Sequence, residues 1–248
     1  METRPPLPAP ERTALFLDLD GTLAAIEPTP EAVGPSPRRT ALLRELLGRL
    51  DGRVAVLSGR PIADIDRILE GAVTAVAGVH GLERRMPDGR LERVPAHPAL
   101  GRVEETLASF ARGQRGLLVE SKPQSVALHY RGHPPAGDAC LDIAHRLAAV
   151  HELGVQEGHM VVELRTPGPD KGDSVRAFMA DPAFRDAVPV AVGDDLTDEH
   201  AFEAVLGHQG WGVLVGAPRP TSALYRLDDP DAVQGWLDQE ALRTRLIL

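Results

Sequence analysis

Asparagine is absent from this 248-residue chain, lysine occurs twice, cysteine once, and no apolar run approaches the length of a membrane span. A lone Cys140 excludes an intrachain disulfide and any multi-cysteine zinc site, and it fits a reducing, cytoplasmic compartment. Without about 20 consecutive apolar residues, no membrane-crossing helix is expected. Excess positive charge is missing too: at a net charge of −9 the chain lacks the basic stripe that a nucleic-acid binder uses to neutralise phosphates. A small phosphorylated substrate stays open, since it needs only a local cluster of cations. Internal repeats and low-complexity segments are also absent. Residues Met1 to Arg12 are Pro-rich and of mixed charge, with no apolar signal core, and read as a frayed lead-in. What remains is ordinary for a globular protein, 43% hydrophobic and 25% charged, and long enough for a core with a smaller insertion.

The scarcity of lysine carries information of its own. Of 27 basic residues only Lys122 and Lys171 are lysine, and the rest are arginine. Such a bias, with the missing asparagine, reads as drift in a GC-rich coding sequence. Against it, a surviving lysine marks a position that wants a compact ammonium in place of a planar guanidinium, unless it survived by chance.

The most informative segment is Asp18-Leu19-Asp20-Gly21-Thr22, directly after the apolar run Ala14 to Leu17. That run is too short for a globular helix, ends in a Gly turn and reads as a buried strand. A strand pleats with period two, so Asp18 and Asp20 project to the same side as the chain leaves the sheet. Paired carboxylates repel and need a cation, a proton or a cationic substrate to coexist. The arrangement suits metal-assisted chemistry in which one carboxylate attacks and the other moves a proton. A solvated acidic turn is the bland alternative.

Strands and helices then alternate. Ser36-Pro37 opens a helix with Leu42, Leu43, Leu46, Leu47 and Leu50 on one face, Ser as cap and Pro in the first turn. Val54–Leu57 is a second strand, followed by Ser58-Gly59-Arg60-Pro61 and a helix carrying Ile62, Ile65, Ile68 and Leu69. Val73–Val79 is a third strand, ending at His80-Gly81, and Pro87-Asp88-Gly89 is a hairpin turn. From about Pro98 the texture becomes helix, two strands, helix, two strands. The α/β pattern resumes with a helix opened by Lys171, a strand Val188–Val192, a helix over about Thr197–Leu206, a strand Trp211–Val215 and a tail helix around Trp236. The expected fold is an α/β, doubly wound, mostly parallel (Rossmann-like) core, residues 1–97 and 169–248, with an inserted α+β cap over 98–168.

Four strand ends carry unusual polar groups: Asp18 and Asp20, Ser58-Gly59-Arg60, His80-Gly81, and Asp194-Asp195 with Asp198. In a parallel sheet these ends share one edge, where ligands bind. Asp18 with Asp20, Ser58, the acids Asp195 and Asp198, and Lys171 each have a modest explanation alone: a turn, a helix cap, acids favouring a helix N-terminus, a solvated lysine. Their coincidence at one edge argues against all four together.

The set and order of DLDGT, Ser58-Gly59-Arg60, Lys171 and Gly193-Asp194-Asp195-Leu196-Thr197-Asp198-Glu199 resemble the haloacid-dehalogenase-type phosphatases. More closely, the chain resembles the trehalose-6-phosphate phosphatase family. VAGVHGLE (76–83), ESKPQSVALHYR (120–131), VVELRTPGPDKG (161–172) and GDDLTDE (193–199) carry that likeness. Thr166 stands where the related segment commonly reads Pro.

The resemblance implies a Mg²⁺-dependent hydrolysis of trehalose 6-phosphate. Asp18 would attack phosphorus to form an aspartyl-phosphate. Asp20 would protonate the leaving sugar oxygen and then activate water. Mg²⁺ would be held by Asp18, the Asp20 carbonyl and Asp194, with Asp195 and Asp198 as further ligands or as residues that orient them. Ser58 and Lys171 would bind phosphoryl oxygens. Thr22 is an expected substrate contact, Arg60 and His80 are candidates either for substrate contact or for a structural role, and Lys122 and Glu163 would face the sugar hydroxyls from the cap. The cap is expected to open and close about Ala96-His97-Pro98 and Thr166-Pro167-Gly168-Pro169. The expected setting is the cytoplasm, with a small sugar phosphate as partner, no nucleic acid or membrane, functional coupling to a trehalose-phosphate synthase as a candidate, and the oligomeric state open with a monomer favoured. Two other readings stand beside it: a phosphatase for another sugar phosphate, such as sucrose 6-phosphate or mannosyl-3-phosphoglycerate, and a non-catalytic module that senses sugar phosphates.

Overall fold

The structure, a computed structural model, describes residues 5–6, 12–158 and 160–242. The lead-in expected over Met1–Arg12 lies outside the described residues except at positions 5, 6 and 12. In chain order the elements begin β1 (Thr13–Asp18), α1 (Pro37–Arg49), β2 (Val54–Leu57), α2 (Ile62–Leu69), β3 (Ala75–Gly78), β4 (Glu83–Arg85) and β5 (Leu91–Arg93). Next come α3 (Leu100–Ala111), β6 (Leu118–Lys122), β7 (Ser125–His129), α4 (Gly137–His151), β8 (Gly154–Gly158) and β9 (Val161–Arg165). The chain ends with α5 (Lys171–Ala180), β10 (Val188–Gly193), α6 (Glu199–Gly207), β11 (Trp211–Val215), β12 (Tyr225–Leu227) and α7 (Pro230–Leu242). Two compact units result, Met1–Glu92 with Pro169–Leu248, and Arg93–Gly168.

The first unit is built on a sheet of order β12-β11-β10-β1-β2-β3-β4-β5. Pairing is parallel from β12 through β3 and turns antiparallel at β4. All six residues of β1 are buried, because a central parallel strand is covered on both faces and reads as an unbroken apolar run. Its pleat divides them. Leu15 and Leu17 join a cluster with Leu42, Leu43, Leu46, Ile65, Ile68 and Leu237, whereas Ala14 and Phe16 join Val175, Phe178, Phe184 and Phe202. Phe16, Phe178 and Phe184 form a tilted aromatic triad with centroids 5.8 to 6.2 Å apart. Truncating such a buried Phe to Ala costs about 3–5 kcal/mol.

Local chemistry sets the boundaries. Ser36 caps α1 by accepting from Arg39 N, with Pro37 in the first turn. The third strand is shorter than the expected Val73–Val79. Val79 and His80 both take positive φ, 48° and 53°, which ends β3 at Gly78 and turns the chain through a 3-10 turn. Such a φ is rare for a β-branched residue and stores strain. The helix expected from Thr197 divides into a 3-10 turn, Leu196–Asp198, and α6. The edge strand β12, three residues long, was not expected.

The second unit is an antiparallel sheet of order β6-β7-β9-β8. Val126 and Leu128 of β7 and Val162 and Leu164 of β9 pack with Val103, Leu107, Cys140 and Ala144 of the helices. Alternation places Ser125, Ala127 and His129, with Val161, Glu163 and Arg165, on the opposite face. Thr166, the departure from Pro, accepts from His97 N at 2.9 Å and so fastens the first and last segments of this unit together. Among the described residues no helix is long and apolar enough to cross a membrane.

Candidate active site

Asp18 is the last residue of β1, and its register partner is Leu57, which puts Ser58 one residue further along the same edge. Beyond Asp18 the chain folds into a tight turn, with Gly21 N donating to Ala24 O at 2.7 Å. Gly21 has φ +86°, and a Cβ there would lie 2.2 Å from Asp194 Oδ2. Glycine therefore lets the loop after β10 come against the loop after β1. Thr22 Oγ1 donates to Asp194 Oδ1 at 3.4 Å.

The loop after β10 is organised by Asp198. Its Oδ2 accepts from Asp194 N and Asp195 N, both at 3.0 Å. Its Oδ1 accepts from Lys171 Nζ at 2.6 Å, and the same ammonium donates to Asp18 Oδ1 at 2.7 Å. Gly193 is required here as well, because a Cβ would fall 2.2 Å from the Asp198 carboxyl carbon. Lys171 is the first residue of α5, held by a reciprocal cap in which Asp170 accepts from Asp173 N and Asp173 accepts from Asp170 N. Lys171, Asp18 and Asp198 side chains are 3%, 7% and 3% exposed.

One ammonium among three carboxylates leaves two negative charges uncompensated. Burial pushes the Asp18 carboxyl well above its usual range, Lys171 opposes this, and Asp198 and Asp194 reinforce it. Burial and then Asp198 push Asp194 up to about 7. Burial alone would lower Lys171, but Asp18 and Asp198 outweigh it and hold the ammonium firmly protonated. Asp18, Asp194 and Asp198 each offer an oxygen within 4.8 Å of the others. Hard oxygen donors with surplus negative charge fit a divalent cation of the Mg²⁺ type.

The other expected site residues have the following surroundings. The Asp195 carboxylate caps the 3-10 turn, accepting from Leu196 N at 2.8 Å, and is not among the clustered acids. Ser58 is 1% exposed and its Oγ accepts from Arg60 N at 3.1 Å, while the cap position of α2 is Pro61. Arg60 grips Asp20 through two bonds, Nε to Oδ2 at 2.6 Å and Nη2 to Oδ1 at 2.7 Å. His80 N donates to Ser58 O, and its ring lies over Gly59, where a Cβ would be 2.5 Å from Nε2. In the second unit Lys122 Nζ donates to Glu163 Oε2 at 3.0 Å, and Ser125 Oγ donates to Glu163 Oε1.

Two groups went unnoticed in the sequence. Arg219 Nη2 donates to Asp195 O at 2.8 Å and Asp194 O at 3.4 Å, and Nη1 pairs with Glu199, the last residue of GDDLTDE. No spacing signal links Arg219 to that loop. Glu120 was legible, since period two puts it beside Lys122 on one face of β6. The sheet register aligns Glu120, Ala127, Glu163 and Gln156 in one row and Lys122, Ser125, Arg165 and Gly154 in the next. A hydrogen bond from His129 at 2.8 Å lowers the Glu120 carboxyl.

A doubly wound, mostly parallel sheet gathers an acidic cluster around one buried lysine at its strand ends, and the fold is shared with a solved phosphatase of the haloalkanoate (HAD) enzyme superfamily from Bacteroides thetaiotaomicron, which superposes with a TM-score of 0.62 at 18% identity. The trehalose-phosphatase family model matches residues 16–231. A Sinorhizobium fredii protein described as "Probable trehalose-phosphate phosphatase" is 37% identical over 92% of this chain and 88% of its own length. The Escherichia coli (strain K12) trehalose-6-phosphate phosphatase is 35% identical over 95% of this chain and 90% of its own. A solved trehalose-6-phosphate phosphatase related protein superposes with a TM-score of 0.79 at 25% identity, over 95% of this chain and all of that one. The chain belongs to the trehalose-phosphatase family and is a phosphoric monoester hydrolase.

Proposed function

We propose that this chain hydrolyses trehalose 6-phosphate to trehalose and inorganic phosphate through an aspartyl-phosphate on Asp18, with Mg²⁺ as its cofactor. The observation that carries the reading is Lys171, buried between Asp18 and Asp198 at the C-terminal edge of the sheet. An ammonium there offsets the charge of a phosphoryl group brought against Asp18. Asp18 and Asp194, with the Asp20 carbonyl, would hold Mg²⁺, and Asp198 orients both Lys171 and the Asp194 loop. When bound, Mg²⁺ screens the phosphoryl charge from the carboxylates and polarises the phosphorus for attack.

In the first step an Asp18 oxygen forms a bond to phosphorus as the bond to the sugar oxygen breaks. The electron pair leaves on that oxygen, which takes a proton from Asp20. In the second step water attacks the phosphoryl group, returns a proton to Asp20, and frees Asp18 and phosphate. Ser58 and Lys171 bind phosphoryl oxygens, with Thr22 steadying Asp194. Residues 98–168 act as the substrate-specificity cap, and the polar rows containing Glu120, Lys122 and Glu163 supply donors and acceptors suited to sugar hydroxyls. A single buried Cys140 supports a reducing cytoplasm as the setting.

The test is phosphate release, with and without Mg²⁺, from trehalose 6-phosphate, sucrose 6-phosphate, glucose 6-phosphate and p-nitrophenyl phosphate. Mg²⁺-dependent preference for trehalose 6-phosphate is the expected result. A preference for another sugar keeps the chemistry and replaces the substrate. No release from any ester overturns the reading.

A further inference from the structure

Arg60 was a candidate for substrate contact or for a structural role, and each of its three guanidinium nitrogens already donates within the chain. Nε and Nη2 take the two oxygens of Asp20, and Nη1 takes Pro30 O at 2.8 Å. The Arg60 side chain is 11% exposed and that of Asp20 33%. The arginine is anchored at its base too, where its backbone N donates to Ser58 Oγ and its carbonyl accepts from Val79 N. A forked pair of this kind fixes the plane of a carboxylate as well as its position. Asp20 follows Asp18 by two residues on a turn whose geometry depends on Gly21, and Arg60 orients its side chain.

We infer that Arg60 is a positioning residue for the proton-transfer group, not a substrate-binding residue: its fork aims the Asp20 carboxyl at the oxygen of the departing sugar. The inference rests on the phosphatase reading above. Proton delivery matters for an alkoxide, which leaves poorly without it. Nitrophenolate leaves unaided, and binding of the phosphoryl group is common to both. Loss of the fork therefore falls on one step and one class of leaving group.

The experiment compares wild type, Arg60→Ala and Arg60→Lys in first-turnover formation of the phosphoenzyme, from trehalose 6-phosphate and from p-nitrophenyl phosphate. Arg60→Ala is expected to slow transfer from the sugar ester by about 100-fold, the lower end of general-acid contributions, with KM unchanged within about twofold. Transfer from the nitrophenyl ester should slow by no more than about threefold. Added guanidinium should restore the sugar reaction in Arg60→Ala, and Arg60→Lys, which keeps charge without the fork, should stay impaired. A raised KM at unchanged rate makes Arg60 a substrate contact and overturns the inference. So do equal losses on both esters without rescue. A wild-type protein inert towards both esters overturns the phosphatase reading itself, which separates the two failures.

Discussion

Asp198 receives the Lys171 ammonium on one carboxylate oxygen, at 2.6 Å, and the backbone N–H groups of Asp194 and Asp195 on the other, both at 3.0 Å. One side chain thus sets the position of the Lys171 ammonium beside Asp18 and of the loop that carries Asp194. An amide cannot do both, because one of its ends is a donor. Asp198→Asn is expected to reduce kcat on the sugar phosphate by about 100-fold, the scale of a misplacement of roughly 1 Å in a catalytic group. Its melting temperature should change little, since losing a charged hydrogen bond is offset by thinning a crowded set of acids. Full turnover in the folded variant would remove Asp198 from this role.

The raised acids make stability depend on pH in a direction opposite to that of most carboxylates. Burial and then Asp198 push Asp194 up to about 7 in the folded state, against an ordinary aspartate value of about 4, and burial shifts Asp18 the same way. Between those values the folded state holds a proton that the unfolded state has released. The stabilisation is thus complete below about pH 4 and is lost as pH rises through 7. In chelator, the contribution of this cluster should fall from pH 5 to pH 8. A divalent cation replaces the protons, so the rise in melting temperature on adding Mg²⁺ should be larger at pH 8 than at pH 5. Thermal scans with Mg²⁺ and with EDTA decide it: a shift that does not grow with pH would mean that these carboxylates are not the cation's ligands.

Much of this was legible in residue order, for stated physical reasons. The runs at Ala14, Val54, Val188 and Trp211 read as strands because a parallel strand covered on both faces needs no polar alternation. Asp18, Asp194 and Asp198 were found because strand ends of a parallel sheet share an edge, and Lys171 because lysine is scarce and the family resemblance marks that position; the structure brings all four together. Pairing between side chains was not legible. Arg60 and Asp20 lie 40 positions apart, and Arg219 lies 25 beyond Asp194, with no periodicity to join them. The positive φ values at Val79 and His80 were hidden as well, because nothing about a valine announces a left-handed backbone.

Glu163 is 6% exposed and accepts from Lys122 Nζ and Ser125 Oγ, so its carboxylate is fixed in place. Truncating one partner of such a pair costs about 2–5 kcal/mol in recognition, much of it from the charge left behind. Lys122→Ala should accordingly lower kcat/KM on trehalose 6-phosphate by at least ~30-fold, the lower end of that range. A small ester reaches only the phosphoryl site, so activity on p-nitrophenyl phosphate should stay within about threefold. Lys122→Arg sharpens the test: a guanidinium is larger and planar, and it should not restore the disaccharide reaction although it keeps the charge. The loss should appear mainly in KM, in contrast to the kcat loss expected at Asp198. Equal losses on both esters would place Lys122 in the support of the fold and leave the choice of sugar to other residues of the β6, β7 and β9 face.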